Sequence, residues 1–199
     1  GLPMKEQVND MKEEREYNEY GDVIKETRNI KGRNMSFEYS YDSLGRVREQ
    51  TFPNGLKLKF VYDSYGNHVQ TLKGTSNVWK FLSFDGKTQK EQIGKDFVRT
   101  TVLDSCGYPL SISLMKGTKM LHEMNFHYDP QTGNLMSRRG MEPEGSPEKF
   151  TYDDLDRLTS YTELDHYVHN MEYDKYGRIK YKYGVGNYEV GHGHNVMQV

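Results

Sequence analysis

Apolar and polar residues alternate with a period of two over much of this chain. Met35, Phe37, Tyr39 and Tyr41 fall on one parity and Ser36, Glu38 and Ser40 on the other; Leu56, Leu58, Phe60 and Tyr62 repeat the arrangement with Lys57 and Lys59 opposite. Successive strand side chains point to opposite faces, so the pattern predicts half-buried β-strands. Each run closes on a segment such as Tyr41-Asp42-Ser43-Leu44-Gly45-Arg46. The Asp carboxylate can accept backbone amides two residues on, and the Gly takes positive φ without steric cost, so Asp-x-x-Gly is a tight reversal. Reversals are predicted at Ser43–Arg46, Ser64–Asn67, Pro130–Asn134 and Lys175–Arg178. A second run follows each, as in Val47 leading into Arg48-Glu49-Gln50-Thr51, or Leu110, Ile112 and Leu114 against Ser111 and Ser113. It ends at a second breaker: Pro53-Asn54-Gly55, Lys73-Gly74, Lys116-Gly117 or Arg139-Gly140. One unit is therefore two antiparallel strands and two turns, a hairpin. Residues 4–16 read as strand or coil rather than helix, because Asn and Asp are poor helix formers.

The unit recurs. It begins at Tyr17, Tyr41, Tyr62, Phe84, Leu103, Tyr128, Tyr152 and Tyr173, at a mean spacing of about 22 residues. The repeated positions are Tyr17 and Gly21; Tyr41, Asp42, Gly45 and Arg46; Tyr62, Asp63 and Gly66; Asp104 and Gly107; Tyr128, Asp129 and Gly133; Tyr152, Asp153 and Arg157; and Tyr173, Asp174, Gly177 and Arg178. Such arrays bury the apolar face of each unit against its neighbours. About sixteen strands at ~4.8 Å would make a ribbon on the order of 75 Å long, which twist prevents from staying flat. The expected fold is all-β: a curved or spiralling antiparallel array of β-hairpins, one repeat array over 1–199 with an irregular end over 184–199. The recurring tyrosines Tyr62, Tyr152 and Tyr173 are assigned to packing between units.

Composition sharpens this picture. Hydrophobic residues make up 34% and mean hydropathy is −0.93, values near the disordered class, but a net charge of −2 and 16 Tyr with 8 Phe oppose disorder. A thin sheet, aromatic on one face and wet on the other, suits these numbers; a thick aliphatic core does not. Near-neutral charge without a basic stripe argues against nucleic acid as a partner. No apolar stretch approaches the ~18 residues of a membrane span, and no charged-then-apolar leader is present. A first residue that is Gly and a last unit that runs to the chain end lead to the expectation of a segment of a longer protein. The single cysteine, Cys106, excludes an internal disulfide; beside Gly107 it reads as a small turn residue rather than a catalytic thiol.

Candidate chemistry is sparse. His192 and His194 share a strand parity and would need a third ligand to hold zinc or copper; His122, His127, His166 and His169 pair less well. Asp153-Asp154 and Glu13-Glu14 are sequence neighbours whose side chains point to opposite strand faces. No nucleophile elbow, zinc-protease or phosphate-loop motif occurs. No catalytic residue, metal or cofactor is assigned, and the expectation is a non-enzyme. Trp79, outside the repeat, is the one candidate ligand contact, set against a role as filler between the third and fourth units.

Repeats of the form Tyr-Asp-x-x-Gly-Arg-Leu/Ile/Val at this spacing resemble the YD repeats of the Rhs family, which also appear in bacterial wall-associated proteins, insecticidal toxin-complex components and teneurins. The resemblance covers residues from about 13 to 183 and is strongest in the segments beginning at Tyr41, Tyr128, Tyr152 and Tyr173. It weakens at Phe84-Asp85-Gly86, which lacks two turn residues, and at Leu103-Asp104-Ser105-Cys106-Gly107. The resemblance implies a strip of hairpins spiralling into a hollow shell, which in complete members encloses a C-terminal toxin or other passenger. It also implies bacterial proteins that are secreted or displayed at the cell surface. The family's Asp-Pro-x-Gly element is not present, so neither self-cleavage nor toxin activity carries over. The resulting expectation is a structural scaffold whose partners are the rest of a larger chain and its passenger; the alternative is a surface array that binds glycans or a protein. Open strand edges and an uncovered aromatic face also predict self-association, through a terminal strand or the concave face. Far-UV circular dichroism is expected to report strand without helix, and a helical spectrum would overturn the assignment.

Overall fold

The computed structural model describes residues 4–8, 11–141, 147–163, 167–190 and 196–198. Among these residues it contains twenty β-strands and no helix. Eighteen strands belong to one sheet, and the last two form a separate small pair. The chain divides into two compact units, Gly1–Ser83 with Lys90–Val98, and Phe84–Gln89 with Arg99–Val199.

In the first unit each strand pairs antiparallel with the next: β1 (Lys5–Val8), β2 (Met11–Tyr17), β3 (Val23–Ile30), β4 (Arg33–Tyr41), β5 (Val47–Thr51), β6 (Lys57–Tyr62), β7 (His68–Lys73) and β8 (Ser76–Phe84). Two further strands, β9 (Thr88–Ile93) and β10 (Phe97–Leu103), precede those of the second unit. There the same meander runs through β11 (Pro109–Lys116), β12 (Lys119–Tyr128), β13 (Leu135–Arg139), β14 (Glu148–Tyr152), β15 (Leu158–Thr162), β16 (Val168–Tyr173), β17 (Ile179–Lys182) and β18 (Gly186–Asn187). The terminal pair is β19 (Glu189–Val190) with β20 (Val196–Gln198). The four reversals predicted from Asp-x-x-Gly all fall between strands, and residues 5–8 and 11–17 are strand.

The alternation is broken at the motif tyrosines. Tyr41 pairs with Val47 although Ser40 pairs with Glu49, which leaves Arg48 as an extra residue on the outgoing strand. The same slip occurs immediately before Tyr17, Tyr62, Tyr128, Tyr152 and Tyr173. These are β-bulges, which bend the strand and increase its right-handed twist. Each bulge restarts the alternation, so Val47 and Gln50, of opposite parity, pair with Tyr41 and Tyr39 on one face. Leu110 stands at the position equivalent to Arg48 and is exposed, whereas Ile112 and Leu114 are half-buried. The regular Leu110-Ile112-Leu114 stripe expected from sequence therefore starts two residues later.

No hydrophobic side chain is fully buried among the described residues; the buried ones are Glu13, Thr71 and Glu91. Half-buried aromatic residues alternate with exposed polar ones along strands such as β4 and β6. The turns rely on left-handed backbone: Gly45 lies at φ +75° and Gly177 at +83°, and in the seventh repeat Asp156 takes the same slot at φ 57°. Asp tolerates this region better than most side chains, and a β-branched residue does not. Gly45→Val and Gly177→Val are each expected to destabilise by about 1–3 kcal/mol, with Lys57→Val near neutral; equal midpoints in urea for all three would refute the turn geometry.

Candidate functional site

The repeated residues converge on one structure, a clasp between successive units. Asp42 Oδ1 accepts the amides of Leu44 (2.9 Å) and Arg46 (3.0 Å), closing the turn. Its other oxygen receives Arg46 Nε at 2.7 Å, with Arg46 Nη2 also at 2.7 Å. Two N–H groups converging on that one oxygen hold the guanidinium plane in place. That plane lies 4.4 Å from the ring centroid of Tyr62, the motif tyrosine of the next unit. The Tyr62 hydroxyl reaches back to donate to the Val47 carbonyl at 2.8 Å. The carboxylate thus orients the arginine, the arginine supports the next tyrosine, and the tyrosine ties its strand end to the residue after that arginine.

The geometry repeats in the second unit. Arg157, held by Asp153 at 2.7 Å, sits 4.7 Å from the Tyr173 ring, and the Tyr173 hydroxyl donates to Leu158 O at 2.9 Å. Tyr41 donates to Val23 O (2.6 Å) and Tyr152 to Leu135 O (2.9 Å). Arg178 is held by Asp174 at 2.7 Å in the same way. A Cβ on Gly66 or Gly177 would only touch the arginine of the preceding unit, at 3.6 Å from Arg46 Nη1 and 3.8 Å from Arg157 Nη1, so it is the positive φ that calls for glycine there.

Departures from the motif keep the parts and change the chemistry. Asn18 replaces the Asp, accepting the amides of Tyr20 and Asp22, and its amide donates to Asp22 at 3.0 Å; Tyr17 and Gly21 flank this turn. Asn67 replaces the Arg and donates to Asp63 at 3.1 Å. Asp104 accepts the amides of Cys106 and Tyr108, and Tyr108 takes the arginine position just after Gly107. The Tyr108 ring stacks 5.1 Å from Tyr128, and a Cβ on Gly133 would lie 2.9 Å from the Tyr108 hydroxyl. An aromatic plane here substitutes for the guanidinium plane. Asp129 closes its wider turn through Gln131 and Thr132 amides.

The turn carboxylates are acidified. Asp42 and Asp153 lie below the ordinary carboxylate value, first because of the side-chain bonds from Arg46 and Arg157. Asp63 is lowered first by Asn67, and Asp129 by the Thr132 amide. At Asp174 lost hydration pulls upward, but the bonds from Arg178 outweigh it. Lost hydration, in contrast, raises the phenols of Tyr41, Tyr128 and Tyr152.

Trp79 is held by its own sheet. Its indole N–H donates to the buried Glu91 carboxylate at 3.0 Å, and its ring stacks on His68 at 4.9 Å. His68, which the repeat pattern did not single out, also meets the edges of Phe60 and Tyr62 and bonds Thr71 at 3.0 Å. His169 stacks on Tyr161 at 4.7 Å and meets the edge of Tyr183. His122 and His127 are exposed, and Cys106 is an exposed free thiol in its turn. His166, His192 and His194 lie outside the described residues. Among the described residues no three His, Cys, Asp or Glu side chains group as metal ligands.

No family model matches the sequence, and no curated protein matches it. Solved structures do match. A chain of the Tc holotoxin pore of Photorhabdus luminescens aligns with TM-score 0.66 at 16% identity, over 94% of this chain and 12% of that one. A chain of the TcdB2-TccC3-Cdc42 crystal structure gives 0.70 at 16% over 96% and 12%. A chain of TcdB2-TccC3 without its hypervariable C-terminal region gives 0.68 at 17% over 93% and 12%. The fold is therefore that of these toxin-complex chains, in agreement with the YD-repeat resemblance, and this chain spans about 12% of their length.

The clasp makes two checkable statements. Tyr62→Phe should cost about 0.5–1.5 kcal/mol by removing one hydroxyl bond, and Arg46→Lys should not restore the loss of Arg46→Ala, because an ammonium cannot hold the planar two-point contact. For pH the sign is set by the lowered carboxylates. They bind protons less readily folded than unfolded, so their stabilisation is present above the unfolded value near 4 and lost as pH falls through the folded values. Melting temperature is expected to drop below about pH 4, with a shallower drop in Asp42→Asn/Asp153→Asn/Asp174→Asn; an unchanged slope would refute the clasp as its source.

Proposed function

We propose that this chain is a non-enzymatic scaffold: a stretch of YD-repeat wall within a larger exported bacterial protein that encloses or displays a C-terminal passenger. The observation that carries the reading is the clasp. The residues that define the repeat are spent on joining one unit to the next, and a group repeated every 22 residues or so lines a wall rather than defining one reacting point. The fold shared with toxin-complex chains, and the small share of those chains that this one spans, support the reading. Secretion or surface display and the passenger are what the YD-repeat resemblance implies. No helix among the described residues is long and apolar enough to cross a membrane, which leaves crossing by strands untouched.

The rival reading is a surface array that recognises glycans or a protein partner. It draws on tyrosines exposed at the turns, Tyr20, Tyr65 and Tyr176. Trp79, with one ring face against His68 and its N–H already donated, contributes to such a site only through its remaining surface.

Deleting two adjacent units from the parent chain should open its passenger to protease without changing the passenger's own chemistry. Unchanged protection would defeat the enclosure reading. Glycan arrays probed with this chain should stay blank, and a specific hit would transfer support to the rival.

A further inference from the structure

At two junctions between repeats an arginine is held by its turn carboxylate and its plane covers the next tyrosine: Arg46 on Tyr62 and Arg157 on Tyr173. The turn over residues 18–22 departs from this. Asp22 stands where Arg46, Arg157 and Arg178 stand in their turns, so a carboxylate takes the place of a guanidinium. Asn18, in the usual Asp position, donates to one Asp22 oxygen at 3.0 Å. Among the described residues no group donates to the other oxygen, and no cation or ring lies on the next tyrosine, Tyr41. Tyr128, whose junction also lacks an arginine, is covered by Tyr108. Tyr41 has no such substitute.

A cavity of about 710 Å³ lies at this junction, with Asp22, Tyr41, Tyr39 and Tyr20 in its wall. That volume is in the range of sites that hold small ligands. No Lys, Arg or His among the described residues lines it, and its second carboxylate, Asp42, is already held by Arg46. The two chief groups are fixed before anything binds: Tyr41 donates to Val23 O at 2.6 Å, and Asn18 holds the Asp22 carboxylate. The charge of Asp22 is felt at the ring. The Tyr41 phenol is raised first by lost hydration and then by Asp22. A half-buried negative charge without a cation therefore stands beside an aromatic plane without a cover.

We propose that this cavity binds the guanidinium group of an arginine side chain on another polypeptide segment, which reproduces at Tyr41 the contact that Arg46 makes with Tyr62. The chemistry selects the class. A guanidinium lies flat on an aromatic ring and still offers N–H groups to a carboxylate at its edge. An alkylammonium is a compact point charge without that plane, and a quaternary ammonium has no N–H for Asp22. Arginine within a peptide fits better than the free amino acid, whose own carboxylate would approach an acidic site. The site goes beyond the scaffold reading, since it holds a partner segment whether or not the wall encloses a passenger.

NMR of this chain with ring-labelled tyrosine, titrated with N-acetyl-arginine amide, tests the site. The Tyr41 ring signal, assigned from the Tyr41→Phe spectrum, should shift with a Kd on the order of 1–10 mM. N-acetyl-citrulline amide, nearly the same shape without the charge, should bind at least about five-fold more weakly, and so should the arginine amide to Asp22→Asn. Asn18→Asp/Asp22→Arg restores the clasp within the chain and should abolish binding, with the circular dichroism spectrum unchanged. No shift at Tyr41, equal binding of the citrulline and arginine amides, or binding that survives both variants would each overturn the proposal. Free arginine binding more tightly than its amide would overturn the assignment to a polypeptide. A methyl glycoside that shifts Tyr41 where the arginine amide does not would overturn it in favour of the carbohydrate reading.

Discussion

Cohesion has to come from contacts between neighbouring strands, because no hydrophobic side chain among the described residues is fully buried to form a core. The clasp meets that constraint. An isolated surface ion pair contributes little, since two long side chains lose freedom to form it. Here the Asp is already fixed by two turn amides and the Arg by two contacts to the Asp, so the guanidinium meets the next tyrosine with much of its freedom already spent. The tyrosine then spans two requirements at once, covering the guanidinium with its ring and satisfying a strand-end carbonyl with its hydroxyl.

A repeat array joined this way gains stability by nearest-neighbour increments. Tyr108 against Tyr128 places a flat aromatic partner where other units place a guanidinium. The bulge before each motif tyrosine belongs to the same device. It sets Tyr62 opposite His68 on the following strand while the hydroxyl bonds Val47 O on the preceding one, and a bulge bends the strand and increases its twist.

The half-buried face is not purely apolar. Glu13 is ion-paired with Arg15 and Arg28, Glu26 with Arg28, and Glu91 accepts the Trp79 N–H. Buried carboxylates that carry partners add specificity of register more readily than stability.

Period-two alternation, the Asp-x-x-Gly turns and the 22-residue repeat are local properties of the chain, and they determined the strands, the reversals and the all-β class from sequence alone. The tyrosines were legible as inter-unit packing because they recur. What the sequence did not reveal is where strict alternation restarts: the bulges at Arg48 and its equivalents are a register between two strands, and register exists only once the strands are paired. Nor did it reveal that Arg46 belongs to Tyr62, or that Tyr108 replaces an arginine, since residues about 16–20 apart in the chain meet only across the sheet. Trp79 stood out as a singular residue, yet its partners His68 and Glu91 were set by tertiary structure, because a ring and a carboxylate on adjacent strands share a face only after the bulges have fixed which face each residue takes.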